Sequence, residues 1–250
     1  MSIVIGATLA ALLFAHAFVR LRRRRRGDRA PWSRVALFIG GIAALVVPLL
    51  SSLDKTADAK LWAHMLQHTL IGDLAPLLLV LSVRGPLAFF LLPPRILKPL
   101  ASSRTLRATL RFLLRPVVSF VGWALAIVAW HLPPAYDAAV AHPAVHVAEH
   151  LCFIIAGTLV WAQLIDPAGH RRLSRRGRIT FAFGVVVVTQ PLMSVLLFAP
   201  SAIYAAYPSV TNQRIAAGVM FVDQLILYGG FIALQLRPLL RAQTPIEGRA

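Results

Sequence analysis

One cysteine in 250 residues, Cys152, excludes an internal disulfide framework and every metal site built on several thiolates. Acidic residues are nearly as scarce. Nine Asp and Glu stand against 26 Lys and Arg, giving a net charge of +17 and an isoelectric point near 11.7. Charged residues of either sign make up only 14% of the chain, against about 25% in an ordinary soluble domain. Apolar residues make up 58%, and the mean hydropathy is +0.72. A soluble chain of this size has nowhere to hide that much apolar surface. A disordered chain and a soluble nucleic-acid-binding domain are therefore both excluded, despite the basic charge. Internal repeats, low-complexity tracts and a separate soluble domain are also missing.

What the chain has instead is apolar runs of about the 20 residues that a bilayer-crossing helix needs. There are seven, at roughly 2–20, 32–53, 61–83, 116–133, 143–165, 178–199 and 212–236. Runs of this length with helical periodicity exclude a transmembrane β-barrel. No basic region precedes the first run. Arg20 and Arg22 to Arg26 follow it, the reverse of a secretory signal, so it reads as a retained span with the N-terminus outside. The segments 20–34, 84–115, 166–178 and 237–250 then hold 8, 7, 5 and 3 Lys and Arg, or 23 in all, whereas the alternate segments hold only Lys55, Lys60 and Arg214. The positive-inside rule makes the first set cytoplasmic. The arginines then serve as topology anchors facing the headgroups of the lipid bilayer, with no nucleic acid involved.

Within 84–115, Gly85-Pro86 and Pro93-Pro94 interrupt an apolar run too short to span. Leu106, Leu110 and Leu113 alternate with Arg104, Arg107, Arg111 and Arg115 at helical spacing, which predicts an amphipathic helix on the inner membrane face. The expected fold is an all-α integral membrane bundle of seven transmembrane helices forming a single domain over 1–250, N-terminus outside and C-terminus cytoplasmic, with a cytoplasmic amphipathic segment.

Six of the eight histidines fall at the outer ends of spans three, four and five: His64, His68, His131, His142, His146 and His150. His64 and His68 are an i, i+4 pair, and His142, His146 and His150 step by four into span five. Residues four apart share a helix face, with Cβ atoms about 5–6 Å apart, so two such imidazoles can ligate one ion. At about 1.5 Å per residue, His68 and His150 lie about 10 Å below the outer surface. The alternative is that these histidines are interfacial polar residues capping helices. Several imidazoles buried in lipid are costly unless bound or paired, which favours a pocket between helices with a metal in it. Spans three and five are then expected as neighbours, with His68 facing His150.

Glu149 precedes His150 and can accept a proton from an imidazole as a supporting partner, or form a helix-end salt bridge. Asp137 can support an imidazole from the outer loop, or cap a turn. Asp73 lies about twelve residues into span three and Asp223 about eleven into span seven. Such intramembrane acids usually face the bundle interior. Gln190-Pro191 opens the ladder of span six, and the two acids can hydrogen-bond Gln190 or each other. Met65, Met193 and Met220 are either soft ligands for a cuprous ion or core packing. Cys152 points off the His146–His150 face and reads as core.

His146-Val-Ala-Glu149-His150 matches the inverted zincin pattern H-x-x-E-H, where histidines bind zinc and the glutamate acts as base. It leaves the other four outer histidines unexplained. A membrane metal-dependent hydrolase and a metal transporter are the alternative readings. The i, i+4 pairs are also similar to the histidine boxes of membrane desaturases, but the side is opposite and no His-His doublet occurs.

The whole pattern resembles a different family. HMLQHTLIGDLAPLLLVL (His64–Leu81), WHLPPAYDAAVAHPAVHVAEHLCFIIAGTLVW (Trp130–Trp161) and DQLILYGG (Asp223–Gly230) are similar to the signatures of the CtaG family of multi-spanning caa-type cytochrome c oxidase assembly factors. The resemblance covers roughly residues 60–235. It implies a multi-pass protein of the bacterial cell (inner) membrane that acts in oxidase maturation and is not an enzyme. The proposed chemistry is copper handling, and the partners are oxidase subunits and an extracytoplasmic copper donor. Imidazole suits copper and zinc alike, so the histidines choose neither; copper rests on the resemblance. His64, His68, His146 and His150 are the first expected ligands, and His131 and His142 the next.

Overall fold

The computed structural model describes residues 2–170 and 172–241, and the described chain is helical, with no strand. The twelve helices are α1 (Ser2–Arg23), α2 (Ser33–Leu50), α3 (Ser52–Ala59), α4 (Leu61–Ser82), α5 (Pro86–Phe90), α6 (Pro94–Ser102), α7 (Arg104–Leu113), α8 (Pro116–Trp130), α9 (Pro133–Ala141), α10 (Pro143–Ile165), α11 (Arg175–Phe198) and α12 (Val210–Pro238). Their starts follow from the local sequence. Five of them, at α5, α6, α8, α9 and α10, carry a proline in the first turn, where no backbone N–H is needed. Ser51, Ser103, Ser174 and Ser209 cap α3, α7, α11 and α12 by accepting a backbone N–H.

Among the described residues six helices are long and apolar enough to cross a membrane, α1, α2, α4, α10, α11 and α12, or seven if the bent pair α7 and α8 counts as one span. The seventh expected span is shorter than its apolar run. Its helix α8 has 15 residues, or about 22 Å at 1.5 Å per residue, against a bilayer core of about 30 Å. It stops at Trp130 because the Pro133-Pro134 pair starts a new helix. At its other end α8 meets α7 at a bend of 70°. That bend turns α7 off the axis of α8, as its alternation of leucine and arginine requires: Leu106 and Leu113 are half-buried while Arg104, Arg107 and Arg111 are exposed. The predicted C-terminal segment beyond residue 241 lies outside the described residues.

Hydrogen bonds tie the connections into two opposite ends. At one end, Arg34 reaches the Leu81 carbonyl, Gly85 N–H donates to Pro167 O at 2.6 Å, and Arg172 reaches the Leu114 carbonyl. The arginine-rich segments meet here. At the other end, Tyr207 donates to Ala57 O at 2.6 Å and Tyr204 to His131 O at 3.0 Å, while Asp137 accepts from the N–H groups of Ala205 and Ala206. This histidine end carries α3, α9 and the loop 199–209.

Burial differs from that of a soluble protein: beside an apolar core, large apolar side chains cover the outside and several polar ones are buried. Phe198, Ile226 and Leu125 are 76%, 63% and 65% exposed, whereas Glu149, Gln67 and His64 are 0%, 0% and 2% exposed. The exposed apolar side chains suit a lipid surrounding, and the buried polar ones are kept from it. The most buried span is α4, which packs on α2, α10 and α12. Its contact with α10 is set by glycine. A Cβ built on Gly157 would lie 1.7 Å from the carbonyl oxygen of Gly72, so only glycine lets the two backbones approach this closely. Gly72 itself lies in a π-type turn of α4, Leu70–Leu74, and α12 has another at Leu225–Gly229. Such turns often mark functional positions. The two are joined by Tyr228, whose hydroxyl donates to Asp73 Oδ1 at 2.5 Å.

Candidate metal centre

The parallel helices α4 and α10 each bring a histidine pair to the same depth. His64 and His68 lie in the regular α-helical part of α4, before its π-type turn, so their four-residue spacing puts both rings on one face, with centroids 4.4 Å apart. His146 and His150 do the same on α10, at 4.1 Å. Across the interface His64 and His146 are 4.9 Å apart and His68 and His150 5.3 Å. Each of the four histidines offers a nitrogen, and these atoms all lie within 4.8 Å of one another. A metal–nitrogen bond of about 2.0–2.1 Å implies nitrogens about 3.3 Å apart around a tetrahedral ion.

His64, His68 and His150 are buried, at 2%, 6% and 8% exposure, and His146 is half-buried. The Nε2 atoms of all four, together with Nδ1 of His68, are buried without a hydrogen-bond partner. Burying so many unpaired polar atoms is expensive. A cation held among them satisfies the lone pairs directly, and imidazole nitrogen is a good donor for copper and zinc.

The surrounding hydrogen bonds decide which nitrogen of His64 faces the group. Tyr207 lies 2.7 Å from His64 Nδ1, and its only proton goes to Ala57 O at 2.6 Å. The Tyr207 oxygen must therefore accept from Nδ1–H, which leaves the Nε2 lone pair free for a metal. Burial, together with Asp58 and Glu149 nearby, raises the pKa of Tyr207, so the phenol keeps the proton this arrangement needs. Tyr136 and Tyr204 stack at 4.0 Å beside it, both also pushed up by burial, and cover the histidines from the loop side. Sequence reasoning did not single out these three tyrosines. The only signal was the Tyr204-Ala-Ala-Tyr207 spacing in a loop, which by itself reads as an interfacial aromatic belt.

The remaining expected residues fall in different places. Glu149 is fully buried, with Oε2 3.7 Å from His68 Nε2, and neither carboxylate oxygen has a hydrogen-bond partner. It stands beside the four imidazoles as an electrostatic neighbour. His131 is buried, 6.3 Å from the Tyr136 ring and 5.9 Å from that of Phe153, and lies outside the group of four. Its Nδ1 donates to Ile127 O at 2.8 Å, which again leaves Nε2 free. His142 is exposed at the start of α10 and does not join the group. Asp137 takes the turn-capping role, since both its oxygens are used by the loop 199–209. Asp73 pairs with Tyr228; among the described residues neither it nor Asp223 hydrogen-bonds Gln190, which is half-buried on α11. Asp223 is half-buried in a groove between α4 and α12. Cys152 is half-buried and outside the group.

The chain resembles three curated mycobacterial proteins, all uncharacterized. It is 31% identical over 192 residues to one of Mycobacterium bovis and to one of Mycobacterium tuberculosis, covering 73% of this chain and 29% of each relative. It is 29% identical over 242 residues to one of Mycobacterium leprae, covering 92% of this chain and 36% of the relative. The chain thus spans about a third of the length of the curated relatives it matches. No solved structure matches it. A family model matches residues 12–242, which takes in the second half of α1 and all of α2 as well as the motif-bearing helices, and on that match the chain belongs to the family of cytochrome c oxidase caa3 assembly factors.

Proposed function

We propose that this protein holds a copper ion between α4 and α10, on the extracytoplasmic face of a bacterial cell membrane, and hands it to cytochrome c oxidase during assembly. The observation that carries the reading is the group of four imidazoles within 4.8 Å, each with a buried nitrogen that no protein group satisfies. His64, His68, His146 and His150 are the ligands. Tyr207 sets the tautomer of His64, and Glu149 offsets part of the cation's charge. Oxidase subunits are the receiving partner, and an extracytoplasmic copper donor supplies the ion.

Side and cargo have separate support. The 23 Lys and Arg in the arginine-rich segments of the sequence, against three in the alternate segments, favour the histidine end outside. Copper over zinc is favoured by family membership, because the enzyme that the family assembles contains copper. Holding is favoured over hydrolysis by the donor count. A hydrolytic metal keeps a position open for water, and four imidazoles fill a tetrahedral sphere.

Copper(II) titration of the purified protein in lipid nanodiscs tests the reading, with bound metal counted by elemental analysis. One ion per chain is expected, lost in His146→Ala/His150→Ala together with oxidase activity in cells. Retention of the ion by that variant would overturn the four-histidine centre. Loss of the ion with normal oxidase assembly would separate binding from function.

A further inference from the structure

Next to the four-histidine group, on the side facing the bundle interior, is a cavity of about 40 Å³. His68 lines it and so belongs to both places. The other wall residues include Met65 and Thr69 of α4, Met220 of α12 and His131 at the end of α8, with Asp73 below. A water-sized sphere takes about 10–15 Å³ of such volume, so the space suffices for an ion.

We propose that this cavity is a second metal position, selective for a soft monovalent cation, with the Met65 and Met220 thioethers and His131 Nε2 as its donors. The proposal deepens the copper reading above and rests on it for the identity of the cargo, which here is the cuprous form. Three observations converge. His131 is 7% exposed, its Nδ1 is committed to Ile127 O, and its Nε2 is buried without a partner. A purely apolar packing role for this corner leaves that nitrogen unexplained. The two methionines come from different helices and are 1% and 8% exposed. Thioether sulfur is a poor donor for hard divalent ions and a good one for cuprous ion.

Charge gives the third reason. The cost of taking an ion out of water rises with the square of its charge, so a monovalent ion pays about a quarter of the divalent cost. Asp73 is the one carboxylate among the lining residues and is held by the Tyr228 hydroxyl at 2.5 Å. One carboxylate balances one monovalent cation. The imidazole centre near the histidine end and the thioether position below it thus differ in softness, and His68 stands between them.

The test uses silver(I) as a redox-inert stand-in for cuprous ion and copper(II) as the divalent probe, on the full chain in nanodiscs. The wild type is expected to bind one copper(II) but two silver(I), with silver–sulfur scattering in its X-ray absorption spectrum. Met65→Leu/Met220→Leu conserves volume, so folding is preserved. It should keep its copper(II), bind one silver(I) and lose the sulfur scattering. His146→Ala/His150→Ala should lose copper(II) and still bind one silver(I) with sulfur scattering. The second position is overturned if the methionine variant takes up silver like the wild type, or if the wild type shows no silver–sulfur scattering. If sulfur-bound silver is seen in the wild type while copper(II) does not bind at all, the cavity stands and the four-histidine reading fails.

Discussion

Replacing Gly157 by alanine tests whether the close approach of α4 and α10 is what assembles the four-histidine centre. The new Cβ would lie 1.7 Å from Gly72 O and 3.3 Å from Pro76 Cγ, where ordinary contact begins at 3.4 Å. A helix carbonyl cannot rotate aside as a side chain does, so the helices must part by about 1.5–2 Å at this level. Overpacking of this kind costs about 1–3 kcal/mol, and here the upper end is expected. His68 lies one turn before Gly72 and His150 two turns before Gly157, about 6 and 10 Å along the axes, so the parting is passed on to the two pairs. The four donor atoms already reach 4.8 Å apart. A further 1.5–2 Å of separation, against the roughly 3.3 Å that a tetrahedral ion needs, leaves an ion with the pair from one helix. Copper affinity, measured against a competing chelator, should fall by more than the roughly 10–100-fold typical of a lost supporting contact. Thermal unfolding in nanodiscs should shift downward in parallel. Gly122→Ala on α8, where a Cβ meets nothing within 4 Å, should change neither quantity. Wild-type copper affinity in Gly157→Ala would refute the argument that this glycine contact builds the site.

Tyr207→Phe leaves His64 Nδ1 and the Ala57 carbonyl without their partner; it should cost about 1–3 kcal/mol of stability and about 10–100-fold in copper affinity. Tyr204→Phe, whose bond goes only to the His131 carbonyl, should spare the affinity, and equal losses in the two variants would show that the tautomer of His64 is not what matters. Glu149→Gln should reduce active oxidase in cells and be largely restored by added copper, because occupancy depends on free metal relative to Kd; loss at every copper concentration, with metal still bound to the purified protein, would favour a catalytic base instead. For orientation, a cysteine placed at Ala138 in a Cys152→Ala background should react with an impermeant reagent in intact cells and one at Arg107 should not; the opposite pattern would turn the protein over in the membrane.

The spans were legible in the sequence because lipid imposes a blunt rule: a crossing helix must satisfy its own backbone and show apolar side chains to its surroundings. That rule is local and survives without knowledge of neighbours. It located the long helices, and the leucine–arginine alternation of 104–115 announced α7. It placed α8 only to within three residues, because an apolar run does not say where a helix stops, and Pro133-Pro134 starts the next one. The i, i+4 spacing of His64–His68 and His146–His150 was equally legible, since a single helix face is a matter of periodicity.

Which pairs meet is a different kind of fact. Gly72 and Gly157 are 85 residues apart in the chain, and nothing in either segment says that their backbones touch. The histidine spacing let the two spans be expected as neighbours, but only this contact shows how close the pairs on α4 and α10 come; exposed His142 lies outside their group, and His131 lines a neighbouring cavity. Tyr207 lies 143 residues from the histidine it orients, and Tyr228 155 residues from Asp73. The sequence by itself determined a membrane helix bundle, its uneven distribution of charge and the paired imidazoles, because each of these depends on neighbours within a turn or two. Only the tertiary structure shows how closely the four imidazoles gather, which tautomer His64 adopts and where the oxygens of Asp137 bond, because each depends on a partner that packing brings from another helix.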